Sequence, residues 1–336
     1  MKRQGETMKL IQFSAPGPPS VLRCLEVPIP EPKPGEVLIR AHAIGVGIPD
    51  TLIRAGTYSH MPPLPATPGT ELSGVIEKVG ADVTTRRPGE RVYTSARERP
   101  QRGGHYAEYV ATPADATFLL PDGVDLDAAA ALANYQVAYH IFNDALHLRA
   151  GERVLVHAAA GGMGNALIDL AKAAGLTVIG VAGGEAKARF ARDVGADHVV
   201  DRKRENVAER VAQITGGRGV DSIIDPVAGP TIPGNLALLA PCGVLVIYGG
   251  LGGKAPLDLD QTLRARGSSP AIRHFTIHTW DRLVEERRAG MRAIIDMLAA
   301  GKFKPRIHAT LPLAEAARAH EMLESGAVLG KLLLRP

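Results

Sequence analysis

Two hydrophobic rhythms divide the chain. In the first third, apolar and polar positions alternate over short runs. Examples are Glu36 to Ala43 (EVLIRAHA), Glu71 to Val79 (ELSGVIEKV) and Glu90 to Thr94 (ERVYT). A period of two, bounded by Pro and Gly, predicts antiparallel strands in a barrel or sandwich. After about Leu126 the texture changes to long Ala- and Leu-rich helical segments alternating with compact apolar runs. Strands are predicted at 153–157, 177–181, 198–200, 220–225 and 243–248, and helices near 165–174, 185–194, 206–215 and 231–239. Alternation of this kind implies a parallel sheet with right-handed crossovers. Past about residue 270 the pattern breaks. A long helix near 281–300 ends in Gly301, and a short helix near 314–325 precedes a final strand, Lys331 to Leu334. There is no internal repeat and no low-complexity segment.

The stretch Arg153 to Gly175 (RVLVHAAAGGMGNALIDLAKAAG) carries the clearest chemistry. It reads as a buried strand, a small-residue turn and a helix. Ala166, Leu167, Leu170, Ala171 and Ala174 share one helical face, and Gly175 stops the helix. Gly161, Gly162 and Gly164 let the backbone approach a ligand. A helix N-terminus opening from a glycine turn attracts an anion through its free N–H groups and macrodipole. This is the dinucleotide-binding arrangement, with Ala159 at the place of its first glycine. The bland alternative is a tight turn that binds nothing.

The tip of the second predicted strand selects the dinucleotide. An NAD site wants a carboxylate there for the ribose hydroxyls. Here Thr177 to Val181 runs into Ala182, Gly183 and Gly184, with Lys187 following and Arg202, Lys203 and Arg204 closing the third strand. A 2′-phosphate needs such cations, so the pattern favours NADPH over NADH. A solvated basic rim would leave the missing carboxylate unexplained.

Composition narrows the class. The 336 residues suffice for two domains with cores; 45% are hydrophobic, and a net charge of +4 is spread along the chain, against a dedicated nucleic-acid binder. Cys24 and Cys242 make no disulfide framework and suit a reducing cytosol. The N-terminal MKRQGETM has no apolar core, so no signal peptide is expected, and Met8 is an alternative start that makes residues 1–7 a loose extension. No apolar run is long enough to span a membrane. No metal is expected: neither cysteine has another Cys or His at ligand spacing, and His105, His157 and His274 read as surface or packing residues. Cys242 reads as a small buried residue. No Tyr-x-x-x-Lys pair is present. Residues 248–254 (YGGLGGK) imitate a phosphate loop but lack its first glycine, and Ala255 replaces its Ser/Thr; their place after the fifth strand makes them a cofactor-side loop.

With these motifs on view, the chain from about Met8 to Pro336 resembles the zinc-independent, zeta-crystallin-like quinone oxidoreductases of the medium-chain dehydrogenase/reductase superfamily. The loop AAAGGMG (158–164) is similar to the family's AAxGGVG. GADHVVD (195–201), GVGIPDTLIRAG (45–56), PGTELSG (68–74), GERV (89–92), GGHYAEYV (103–110), LAAGKFKP (298–305) and AHEMLESGAVLGKLLL (319–334) also match. The resemblance implies an α/β fold: a doubly wound Rossmann sheet over 133–271, and a GroES-like, β-rich catalytic domain from 1–132 and 272–336, with the active site in the cleft between. It puts Gly47 and Thr70 where zinc-containing relatives have a cysteine and a histidine. It assigns Ala160, Gly161, Gly162, Met163, Gly164 and Gly183 to the cofactor, Lys187 and Arg202 to the 2′-phosphate, and Val227, Tyr248, Gly249, Gly250, Gln136 and Phe275 to the nicotinamide side. The family often has Asn at Gly47, an aromatic at Leu52, Tyr at Arg202 and Thr at Gln136. It implies a homodimer built through the Rossmann sheet edge.

The function expected is NADPH-dependent hydride transfer to a quinone or another electron-poor conjugated carbonyl. Conjugation supplies the electrophile, and the protein supplies orientation and a dry pocket. Tyr58 and Tyr135 are candidate proton donors and Thr70 a weaker one; each tyrosine also reads as a packed amphipathic ring. Two alternatives stand beside it: an enoyl or alkenal reductase for a specific metabolite, and a non-catalytic NADPH-binding structural or RNA-binding protein.

Overall fold

The computed structural model describes residues 6–99, 101–250, 252–254 and 258–336. Most of the proposed N-terminal extension, with Leu251 and Ala255 of the phosphate-loop imitation, lies outside them. The chain forms two compact units. One holds the residues up to Ala133 with Leu298–Ala300 and Ile307–Pro336; the other holds Asn134–Met297 and Gly301–Arg306.

The first unit is β-rich. Its strands are β1 (Thr7–Gln12), β2 (Arg23–Pro28), β3 (Glu36–Val46), β4 (Glu71–Val79), β5 (Arg91–Ser95), β6 (Tyr109–Pro113) and β7 (Thr117–Leu119). The alternating runs anticipated three of them. β3 is the hub, pairing antiparallel with both β4 and β6. Val37, Ile39 and Ile44 of β3 are fully buried with Leu72, Ile76 and Val92. Helix Ile48–Ala55 leaves β3 through Gly47 and stops at Gly56, whose φ of 76° suits a residue without Cβ.

The second unit is the parallel sheet. Its strands are β8 (Arg153–His157), β9 (Thr177–Ala182), β10 (His198–Asp201), β11 (Val220–Asp225), β12 (Leu239–Ile247) and β13 (Ala271–His274), in the order β10-β9-β8-β11-β12-β13. Every pairing is parallel. The order runs outward in both directions from β8, so ligands gather at the carboxyl ends on either side of it. The expected helices appear as Gly162–Ala173, Glu185–Val194, Val207–Thr215 and Ile232–Leu238.

Two elements depart from the sequence reading. The alternation runs one strand further, because β13 pairs with β12 beyond the point where the pattern breaks. Residues 272–297 accordingly cluster with the second unit, whereas the sequence reading grouped them with the first. β14 (Ile307–Pro312) was not anticipated either. It pairs parallel with the final strand, β15 (Lys331–Arg335), which returns antiparallel to β3.

Candidate active site

The glycine turn forms at the carboxyl end of β8. Gly161 caps helix Gly162–Ala173, and no side chain caps that N-terminus. Its first N–H groups therefore keep the anion-binding capacity the motif implies. A Cβ on Gly164 would lie 2.5 Å from Ala158 O and as close to Ala159 O, so only glycine lets the helix start so near the strand. Ala159 is fully buried. Its methyl faces Gly180 of β9, where an added Cβ would come within 3.1 Å of it. The alanine that replaces the motif's first glycine is thus accommodated by a glycine on the neighbouring strand. Ala160 is buried; Gly161, Gly162 and Met163 are half-buried.

Gly183 and Arg202 come together at the next strand tip. A Cβ on Gly183 would stand 3.3 Å from Arg202 Nε and 3.4 Å from a terminal guanidinium nitrogen. An exposed guanidinium therefore lies over the tip of β9, where an NAD site would hold a carboxylate. Asp201, at the end of β10, is engaged by backbone amides of the turn: Oδ1 accepts the N–H of Gly184 at 2.7 Å and of Lys203 at 3.0 Å. These backbone donors hold its carboxyl below the ordinary range. Lys187 is half-buried in the first turn of helix Glu185–Val194. Neither Lys187 nor Arg202 forms a side-chain hydrogen bond or ion pair with a described residue.

Asp225 organises the far side of the sheet. Its Oδ1 accepts the N–H of Val227 at 2.7 Å, and its backbone oxygen accepts that of Tyr248 at 3.1 Å. Its Oδ2 accepts Thr231 Oγ1 and, at 2.9 Å, Asn235 Nδ2. Asn235 Oδ1 in turn meets His157 Nε2 at 2.8 Å. The ends of β11 and β12 and their predicted nicotinamide residues are thereby tied together. Gly249 sits against Pro226 O, and Gly250 is exposed. Phe275 is buried, its ring 5.3 Å from Trp280. Gln136 is buried too: Nε2 donates to Arg287 O at 3.3 Å, while Oε1 is an unmatched acceptor.

Tyr135 is placed otherwise than a proton donor needs. Its ring stacks on Phe303 at 4.1 Å and its hydroxyl donates to Asp169 at 2.6 Å. Burial, then the Asp169 charge, pushes that phenol far up. Cys242 also departs from expectation: it is exposed within β12, with φ 61°, and its N–H donates to Ser268 O.

In the first unit, Thr70 belongs to a buried polar group the sequence reading did not see. Asp50, in the first turn of helix Ile48–Ala55, is fully buried. Its Oδ2 accepts the N–H of Gly47 at 2.8 Å and the hydroxyl of Thr70 at 3.4 Å, and its Oδ1 accepts the N–H of Gly69 at 3.1 Å. Beside it Glu71 accepts Lys331 Nζ at 2.6 Å on one oxygen and the N–H of Ala133 at 2.7 Å on the other. Lys331 is 5% exposed and Glu71 sealed. Thr70 and Gly47 are half-buried and border this group. Burial lifts the Asp50 carboxyl to about 7 despite the opposing Gly47 hydrogen bond and Lys331 charge. His105 closes the same turn through Nδ1 to Gly69 O at 3.0 Å; burial, then Arg99, lowers it to about 3, so it is neutral. Tyr58 packs half-buried on the adjoining core.

Residues 33–122 match the alcohol dehydrogenase GroES-like domain, and residues 162–298 match the zinc-binding dehydrogenase family. A quinone oxidoreductase of Pseudomonas aeruginosa is 35% identical over 329 residues, covering 98% of this chain and 99% of that one. The chain belongs to the quinone oxidoreductase family of the medium-chain dehydrogenases/reductases. The family resemblance extends to a 2-haloacrylate reductase of a Burkholderia species, 34% identical over 93% of this chain and 94% of the relative. In three dimensions, the Escherichia coli quinone oxidoreductase solved in complex with NADPH superposes with a TM-score of 0.86 at 31% identity, covering 98% of this chain and all of that one.

Proposed function

We propose that this protein is an NADPH-dependent reductase of quinones and other conjugated carbonyl compounds that works without a metal. The observation that carries the cofactor is Arg202 lying over Gly183. A cation at the tip of β9 matches a 2′-phosphate, and the glycine turn below it matches the pyrophosphate. The Escherichia coli relative's complex with NADPH supports the same choice. Bound reduced nicotinamide supplies the hydride. The chain's own residues hold the dinucleotide along the carboxyl ends of the sheet, with Val227, Tyr248, Gly249, Gly250 and Phe275 on the nicotinamide side.

Zinc does not fit the site. Gly47 and Thr70 offer neither thiolate nor imidazole. An added Cβ on Gly47 would lie 3.7 Å from the Lys331 ammonium, a cation where a second one would be repelled. Activation then falls to the acceptor's own conjugation, which quinones and haloacrylate-like enoyl compounds both possess.

The test is NADPH oxidation with a panel of quinones and a panel of enones. Turnover in at least one panel is expected; none in either overturns the reading. Replacing Lys187 and Arg202 by Ala should raise the KM for NADPH roughly 10- to 100-fold and leave NADH use little changed. Equal losses would refute the 2′-phosphate assignment. A cytoplasmic location is part of the same proposal, supported by two exposed free thiols and no disulfide. So is a homodimer through β13, the terminal strand of its sheet with three of four residues exposed. Sedimentation should read twice the chain mass.

A further inference from the structure

Asp50, Glu71 and Lys331 form a closed charge group with an odd count. Two carboxyls share one ammonium, and all three are buried. With every group ionised, the site would carry one uncompensated negative charge away from water, which is costly. Retaining one proton makes it neutral. Glu71 cannot be the holder, because one oxygen meets the ammonium and the other a backbone N–H. Asp50 has no cation in direct contact; its partners are the amides of Gly47 and Gly69 and the hydroxyl of Thr70. Of these only Thr70 can take a proton and pass one on. Tyr106 also faces Asp50, and its hydroxyl meets the buried, neutral His320 at 3.1 Å. That branch ends inside the unit.

We propose that Asp50 stores the proton required by the reduction and that Thr70 delivers it. This rests on the reductase reading above. Hydride arrival leaves the reduced acceptor with a negative charge on oxygen. Thr70 Oγ1 gives its proton to that oxygen, forming the O–H bond of a hydroquinone, or of an enol that then tautomerises in water to the saturated carbonyl. The same Oγ1 takes the proton from Asp50 Oδ2, whose O–H bond breaks, and Asp50 ends as a carboxylate. Water reprotonates it through Thr70 after the product leaves. Electrons and atoms balance, because hydride supplies two electrons and one hydrogen and Asp50 supplies one proton. The carboxyl value of about 7 is matched to a donor that must reload near neutrality. Asp50 also caps helix Ile48–Ala55 through Gly47, so its effect must be separated from a purely structural one.

The decisive variants are Thr70→Val, which keeps the side-chain shape, and Asp50→Asn. With an enone acceptor and saturating NADPH, Thr70→Val should lower kcat about 100-fold, the scale of a lost general acid, with NADPH binding by fluorescence unchanged. Wild-type kcat should fall as pH rises through about 7, and this limb should vanish in both variants. Retention of the limb in Thr70→Val, or kcat within about 2-fold of wild type, overturns the proposal. Should Asp50→Asn fail to fold, infrared titration of the Asp169→Asn holoenzyme, which removes the second raised carboxyl, decides the store: a protonated-carboxyl band must persist to near-neutral pH, and its absence sinks the idea. A wild-type enzyme inactive on every acceptor would fail the reductase reading instead, and the infrared titration would still report on Asp50.

Discussion

Each unit holds a carboxyl raised by burial, sealed for Asp50 and half-buried for Asp169, and the two behave differently. Asp50 in the first unit rises to about 7 and Asp169 in the second to about 6, burial being the main cause in both. Asp169 accepts Tyr135 Oη at 2.6 Å and Asn165 Nδ2 at 2.9 Å on the same oxygen. Tyr135 is sealed under Phe303, and Asn165 accepts the N–H of Arg306 at 2.8 Å. Every line of hydrogen bonds from Asp169 ends within the unit. Its work is to fix the segment Gly301–Arg306 against helix Gly162–Ala173. Asp50 differs in one link, the half-buried hydroxyl of Thr70. A perturbed carboxyl marks chemistry only where its hydrogen-bond path reaches a surface on which a substrate can sit.

The strongest attack on this contrast is Lys331→Met. It should leave Glu71 buried without its cation and cost about 3–5 kcal/mol of unfolding free energy in urea. A loss below about 1 kcal/mol would mean the charge group is not closed as described. Next comes pH. Both carboxyls bind a proton more tightly folded than unfolded, so each favours the fold fully below its ordinary value of 3.8 and loses that contribution as pH rises through its folded value. Stability should therefore decline between about 4 and 7 for the Asp50 share and between about 4 and 6 for the Asp169 share. Asp50→Asn should flatten the upper part of that decline and Asp169→Asn only the lower part; melting curves across the range would show it. The smallest effect is Tyr135→Phe. It should cost about 1–2 kcal/mol through the lost hydrogen bond to Asp169 yet leave kcat within about 2-fold. A large kcat loss at wild-type stability would return Tyr135 to the list of proton donors.

Much of the second unit could be read in advance, because its strands are continuous apolar runs and its helices have clean starts and stops. β13 could not. Its sequence AIRH has only two aliphatic residues, followed by a charge and an imidazole, and it is an exposed edge strand with no need of a hydrophobic signature. The phosphate turn was visible because its chemistry is local, within a dozen residues. The Asp50 group was invisible because it is not. An aspartate in a first helical turn reads as a cap, which it is, and nothing nearby announces Glu71 or Lys331. One signal was present: a lysine opening the apolar strand KLLLR, at a position the pairing buries. Of the two roles open to Tyr135 in the sequence, proton donor or packed ring, nothing nearby could choose, since its partner Asp169 lies 34 positions away.

The separation of 260 residues between Glu71 and Lys331 has a consequence for synthesis. β15 is the strand that covers the edge of β3, pairing Leu332 with Val46 and Leu334 with Ile44. While the ribosome is still making the second unit, the first has an open sheet edge and two carboxyls without their ammonium. Such long-range closure is slow, and an unpaired edge invites other chains. The β-rich unit, though started first, is finished last.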